Sequence, residues 1–522
     1  MSFRLTYATM FNPPEELHER FEKALATMRG RLGQTHPMFV DGKDVPAAAT
    51  DERISPIDSQ IRIGRFPHAN AKEVDAAIGA AERAAAGWRD AGMERRVALM
   101  RKIARLLEER VYDIAAALTL EVGKNRLEAL GEAQECVDFF DVYAEDFESH
   151  KGYEFELPND PSNVFVSRNR SVMRPYGVWA VIAPFNFPIA LAAGPTAAAL
   201  VTGNTVVLKC ASDTPWSGRL LADCIRDAGL PAGVFNYVNG PGSAIGEQLV
   251  RDSRVGGVTF TGSVAVGRAI MAEMAAGAYA RPYIAEMGGK NPTIVTENAD
   301  LDRAAAGIAR SAYGMGGQKC SALSRLYVHE KVADALISKI EQEIDKIKIG
   351  DPTQRATGLG PVVNKRAHES YARYVAELRS RGAKIRRGGK QPAEGTFARG
   401  YYVEPVLAEA DPSDPLWKQE MFLPILMVQR YRDRETAMRL ANDTDMGLTA
   451  GFYGAPEEIP WFQDGIQAGV TYANRGAGAT TGAWPGYQPF GGWKGSGSSG
   501  KAIASAYYLP LYMREQSRTV VE

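Results

Sequence analysis

Cysteine and histidine are both scarce. Four cysteines (Cys136, Cys210, Cys224, Cys320) and six histidines are scattered over 522 residues, without a Cys-x-x-Cys pair or a histidine cluster. That pattern indicates no disulfide framework and no zinc or other metal site, and free thiols suit a reducing cytoplasm. An excess of one charge is missing too. The 61 Lys and Arg residues against 62 Asp and Glu leave a net charge of -1, which gives no electrostatic reason to bind nucleic acid or anionic lipid. The start, MSFRLTYATMFNPPEELHERF, lacks an apolar core of signal-peptide length, and Glu15, Glu16 and Glu19 argue against a transit peptide. No uninterrupted apolar run is present. Residues 176–210 carry no charge until Lys209, but Pro184, Asn186, Pro188, Gly194, Pro195, Gly203 and Asn204 break the stretch. It reads as buried strand, loop, helix and strand, with no membrane span.

What remains is ordinary globular composition, 45% hydrophobic and 24% charged, in a chain long enough for two or three domains. Residues 14–31 read as a helix, followed by turn-rich extended sequence. NAKEVDAAIGAAERAAAGW opens with an Asn cap and repeats small apolar residues at helical spacing. Helical sequence continues through 93–123, with Gly123 as a natural stop. The next helix, 128–147, carries Glu132, Glu135 and Asp138; read alone, such an acidic face is solvated. YEFEL and VFVSRNRSV flank a Pro/Asn/Asp turn as a hairpin. Then GVWAVIAP, NTVVLK, VFNYV and GGVTF alternate with helices, which indicates an α/β fold with a parallel, doubly wound sheet. A second alternating set begins near residue 281, with helices at 300–313 and 332–347 and extended pieces after them. The tail from residue 486 starts Gly-rich and ends as a strand.

Chemistry concentrates in YGMGGQKCSALSR, residues 313–325. A thiol is the strongest neutral-pH nucleophile a protein owns once ionised, although a lone Cys also reads as a small buried hydrophobe. GVTFTGSVAVG places Gly262, Ser263 and Gly267 between strand and helix, where a tight turn and a phosphate cradle are both possible readings. Its spacing is not G-x-G-x-x-G. Lys209 ends a buried strand, as a snorkelling Lys or a ligand-binding one. Asn186, between two Phe residues in APFNFP, needs a hydrogen-bond partner. Glu286 in YIAEMGGKNP is an acid on an apolar background, a pattern that also fits a buried ion pair.

Taken in order, these motifs resemble the aldehyde dehydrogenase superfamily over roughly residues 40–515. The resemblance implies a Rossmann-like coenzyme domain (1–151 and 172–285) and a second α/β catalytic domain (286–481). Residues 152–171 and 482–522 would form the β oligomerisation flap, the substrate anchor and the C-terminal segment. Cys320 becomes the nucleophile, Asn186 and the Cys320 backbone amide the oxyanion donors, and Glu286, in Glu-x-Gly-Gly-Lys, the base that activates water. Gly262, Ser263 and Gly267 match the pyrophosphate loop. Lys209, Ser212 and Gly288 fall at coenzyme positions, and Glu420 with Phe422, in EMFLP, matches the element that orients the nicotinamide ribose. Two departures stand out: Leu423 replaces a usual Gly, and Lys-Cys-Ala-Ser replaces Lys-Pro-x-Glu. The missing acid at Ser212 removes a grip on the adenosine ribose diol and a repulsion against a 2′-phosphate, so NADP is possible while NAD remains the expected coenzyme. Lys319 reads as structural.

A finer resemblance, carried by GQKCSALSR, PFNF and TTGAWPGYQPFGG, is to the L-glutamate-γ-semialdehyde (1-pyrroline-5-carboxylate) dehydrogenases of proline degradation. It implies that Ser321, Gly482 and Ala483 hold a substrate α-carboxylate, that Phe185 and Phe490 pack its stem, and that Glu135 meets its ammonium. Trp484–Pro485 departs from the small branched residues usual in that loop. A different short acidic or aromatic aldehyde, and a non-catalytic relative, are the other readings. Residues 152–171 and 508–521 are expected to join subunits into a homodimer or a dimer-based oligomer.

Overall fold

The computed structural model describes residues 5–6, 13–161, 164–476 and 483–522. Five parallel strands form the heart of a first sheet, ordered Tyr283–Glu286, Val255–Thr261, Val178–Ile182, Thr205–Lys209 and Phe235–Val238. Antiparallel Met38–Val40 and Lys43–Val45 extend it at one edge. The central strands are apolar on both faces because both are covered. Trp179, Val181, Val206 and Leu208 pack with the helices Ala190–Val201 and Pro215–Ala228. Val178, Ala180 and Val207 pack instead with Val74, Ala77 and Ile78 of the helix Ala71–Arg89. Asn70 starts that helix with a full capping box, accepting from the Lys72 and Glu73 amides at 2.9 and 3.2 Å.

The chain leaves this sheet at Glu286 and enters a second one at Asn291. The second sheet runs Lys384–Arg387, Val406–Glu409, Ile425–Tyr431, Leu323–His329, Asn291–Val295, Thr449–Tyr453 and Val470–Ala473, parallel apart from its first pair. A smaller antiparallel sheet joins Glu154–Leu157, Ser167–Pro175 and Met513–Val521, so the hairpin and the C-terminal strand pair with each other. No helix among the described residues is long and apolar enough to cross a membrane.

Three local expectations need correction. The helical run over 93–123 is two helices, Met93–Glu109 and Val111–Val122, meeting at Arg110 (φ -106°, ψ 9°). Gly123 does end the second, in the left-handed region at φ 85°. The stretch read as extended after residue 347 contains the helix Lys365–Ser380, whose buried stripe is only Tyr371, Tyr374, Val375 and Leu378. The acidic face of Arg126–Ser149 is not solvated, because Glu132 and Asp138 are buried.

Candidate active site

The carboxyl ends of the five parallel strands lie along one edge of the first sheet, the edge at which open α/β sheets receive ligands. Four of the five ends deliver a residue singled out in the sequence. Glu286 ends the outermost strand, Gly262 and Ser263 follow the next, and Asn186 follows Val178–Ile182. Lys209 ends the fourth, and the Gly240 carbonyl, just beyond the fifth, accepts from Ser212 Oγ at 3.2 Å. Lys209 is buried rather than snorkelling. Its ammonium donates to the Cys210 carbonyl at 2.8 Å, and desolvation lowers its pKa.

This edge suits a dinucleotide on grounds internal to the structure. Ser263 caps the helix Val264–Ala275, accepting from the Val266 amide at 3.4 Å, and because this helix directly follows Val255–Thr261 its start lies at the strands' carboxyl edge. A side chain at Gly262 would meet the Phe260 ring at 2.5 Å, and one at Gly267 would come within 3.1 Å of the Tyr283 hydroxyl. Only glycine leaves that turn room for close backbone approach. Gly288 is tied to Glu420 in the same way, since a Cβ there would lie 2.6 Å from the Glu420 carboxyl carbon. Glu420 Oε1 accepts from the Gly289 amide at 2.8 Å. Phe422 holds a positive φ of 57° and sets its ring edge-on to Phe185 at 5.7 Å. This is local strain of the kind found where a side chain must be aimed.

Cys320 follows a tight turn in which Met315, Gly316 and Gly317 all have positive φ. A Cβ at Gly317 would lie 2.5 Å from the Leu423 carbonyl carbon, which explains the glycine and packs the nucleophile loop against the Glu420 segment. Burial, with Glu420 and Glu286 nearby, holds the thiol up to about 12. Burial also raises the Glu286 carboxyl well above the usual carboxylate range, against one backbone N–H from Gly492. Glu286 Oε2 has no hydrogen-bond partner among the described residues, so the buried ion pair that its pattern also allowed is not formed. Asn186 is buried as well. Lys319 is half-buried beside Gly314 and Glu128, its pKa pulled down to about 8 by desolvation.

A cavity of about 550 Å³ opens on the thiol. Cys320, Ser321, Glu135, Ala483 and Phe490 line it together, although they come from widely separated parts of the chain. Gly482 lies outside the described residues. Phe185 is placed against Phe422, while its neighbour but one, Phe187, lines the cavity. Trp484 also lines it, 3% exposed, with its indole N–H donating to Asp138 at 2.6 Å. Sequence reasoning gave Phe187 no role and read Asp138 only as part of a solvated face. The signal was there for Asp138, which lies one helical turn from the buried Gln134.

Comparison with known proteins agrees with this geometry. Residues 45–517 match the model of the family described as "Aldehyde dehydrogenase family". A 1-pyrroline-5-carboxylate dehydrogenase of Geobacillus sp. is 35% identical over 517 residues, covering 97% of each chain. The crystal structure of a 1-pyrroline-5-carboxylate dehydrogenase from Thermus with bound NAD superposes with a TM-score of 0.93 at 32% identity, covering 100% of this chain and 99% of that one. An E. coli NADP-dependent enzyme follows at 0.87 and 30%, covering 95% and 99%. A thiol loop, a raised carboxyl and a glycine-lined helix start on two joined α/β sheets therefore have a common origin: the chain belongs to the aldehyde dehydrogenase family.

Proposed function

We propose that this chain oxidises L-glutamate γ-semialdehyde to L-glutamate, with NAD as coenzyme, through a thioester on Cys320. The observation that carries the reading is the single cavity in which the thiol, Ser321, Ala483, Glu135 and Phe490 meet. A short zwitterion needs donors for its carboxylate, an acid for its ammonium and an apolar wall between them, and this cavity has each. The relatives named for 1-pyrroline-5-carboxylate support the same substrate.

Lys209, Ser212, Gly262, Ser263, Gly267, Gly288, Glu420 and Phe422 would hold the coenzyme. When bound, it supplies a hydride acceptor, and the redox chemistry is its own. The chain's residues do the rest. Cys320, as thiolate, adds to the aldehyde carbon, and Asn186 with the Cys320 amide receives the oxyanion. Glu286 takes a proton from the water that hydrolyses the thioester. Once ionised, a carboxyl whose pKa is raised is a stronger base than an ordinary one, which suits that step. The outer edge of Glu154–Leu157, with exposed Phe155 and Leu157, would pair with a second copy to make a homodimer. The four free cysteines suit the cytoplasm.

Rates of NADH formation with the semialdehyde and with pentanal test the substrate. Each hydrogen bond to a charged group is worth roughly 1.5–3 kcal/mol. Losing about 2.8 kcal/mol lowers kcat/KM about a hundredfold. Equal values, after correction for ring closure of the semialdehyde, would overturn the carboxylate anchor. The buried Trp484 in the cavity wall favours one second reading, an aromatic aldehyde. That reading would take over if benzaldehyde outran both.

A further inference from the structure

The loop that carries Asn186 is gripped from outside by two charges that share the interior with it. Lys124 and Glu132 form an ion pair at 2.5 Å, and both side chains are 0% exposed. Glu132 Oε1 accepts from the backbone amides of Ile189 and Ala190, at 3.0 and 3.3 Å. Those amides open the helix Ala190–Val201, which has no side-chain cap of its own. A carboxylate brought from the neighbouring helix Arg126–Ser149 thus caps it, where the helix dipole favours negative charge. Lys124 places its ammonium 3.8 Å from the centre of the Phe187 ring, which adjoins Asn186 and lines the Cys320 cavity.

We propose that the Lys124–Glu132 pair positions the oxyanion donor: one member fixes Phe187, the other fixes residues 189–190, and Asn186 is held by the backbone beside them. The proposal rests on the oxyanion role given to Asn186 above. Stability alone is a poor reason for such a pair, because a buried ion pair can often be replaced by apolar residues at no loss. A fixed geometry is a better one, since a donor displaced by a fraction of an ångström no longer meets the oxyanion.

A double-mutant cycle with Asn186→Ala tests this, reading NADH formation together with coenzyme-independent hydrolysis of p-nitrophenyl acetate by Cys320. Glu132→Gln should lower kcat in both assays at least tenfold and change KM less than twofold. In the Asn186→Ala background the same substitution should cost almost nothing further. Because Glu132→Gln leaves the Lys124 charge buried and unpaired, which threatens folding, Lys124→Met/Glu132→Met, which removes both charges, is the companion variant with the same expectation. Fully additive losses, or a parental kcat in the folded double-Met variant, would overturn the positioning role while leaving Asn186 as donor. A parental kcat for Asn186→Ala alone would overturn the oxyanion assignment and this proposal with it.

Discussion

Gly289→Ala is the sharpest single perturbation of the junction between the two sheets. Gly289 does not have positive φ, so the substitution acts through contact and not through backbone strain. The added Cβ would lie 2.7 Å from Asn291 Oδ1 and 2.9 Å from its Nδ2, and closer still to the Cys320 carbonyl oxygen; ordinary contact begins at 3.4 Å. Asn291 cannot yield easily. Its Nδ2 donates to the Cys320 and Ala322 carbonyls at 2.6 and 2.8 Å, and its Oδ1 accepts from the Thr449 amide at 3.0 Å. Relief must come from the Cys320 main chain, by roughly 0.7 Å or more. Overpacking of this kind costs about 1–3 kcal/mol of stability. Misplacing a reacting group by about 1 Å costs around a hundredfold in rate. Stopped-flow NADH formation should therefore fall some 30–100-fold, with a lower urea midpoint and near-parental coenzyme affinity. A kcat within twofold of the parent would refute the claim that this contact fixes the nucleophile.

Three further outcomes are expected. Glu286→Gln should give a burst of NADH followed by slow turnover, since only deacylation needs the base; parental steady-state turnover would assign the water to another group. Lys290 is buried, its Nζ lacks a hydrogen-bond partner among the described residues, and desolvation lowers its pKa from 10.5 to about 7. Between those values the unfolded chain binds the extra proton, so stability rises with pH, by up to about 1.4 kcal/mol per pH unit. Lys290→Met should flatten that rise in urea titrations between pH 7 and 10, and an unchanged slope would place it elsewhere. Phe155→Lys/Leu157→Lys should halve the mass measured by light scattering, whereas an unchanged mass would move the subunit contact off this edge.

Much of the fold was legible because the first sheet's strands are short, continuous apolar runs bounded by Gly and Pro, a pattern that surface helices do not share. The helix Lys365–Ser380 was not, because four buried residues in sixteen leave too thin a stripe to read against KRAHESYARYVAELRS. The break at Arg110 carries no Gly or Pro to announce it. Within the site, glycine-rich turns and the isolated thiol advertise themselves by what they lack. Glu132 does the opposite: an acid usually marks solvent, and the clue was its helical phase with Ala129, Cys136 and Phe139, all buried. Its carboxylate can sit there only because Lys124 and two backbone amides meet it, and those partners come from elsewhere in the chain.

Trapping the acyl-enzyme tests the central claim most directly. Glu286→Gln, mixed with NAD and glutamate γ-semialdehyde and quenched in acid during the burst, should carry the acyl group on the Cys320 peptide in near-stoichiometric yield. The buried Cys136, Cys210 and Cys224 should carry none. NADH formed in the burst with no adduct on Cys320, or with the adduct on another residue, would contradict the account.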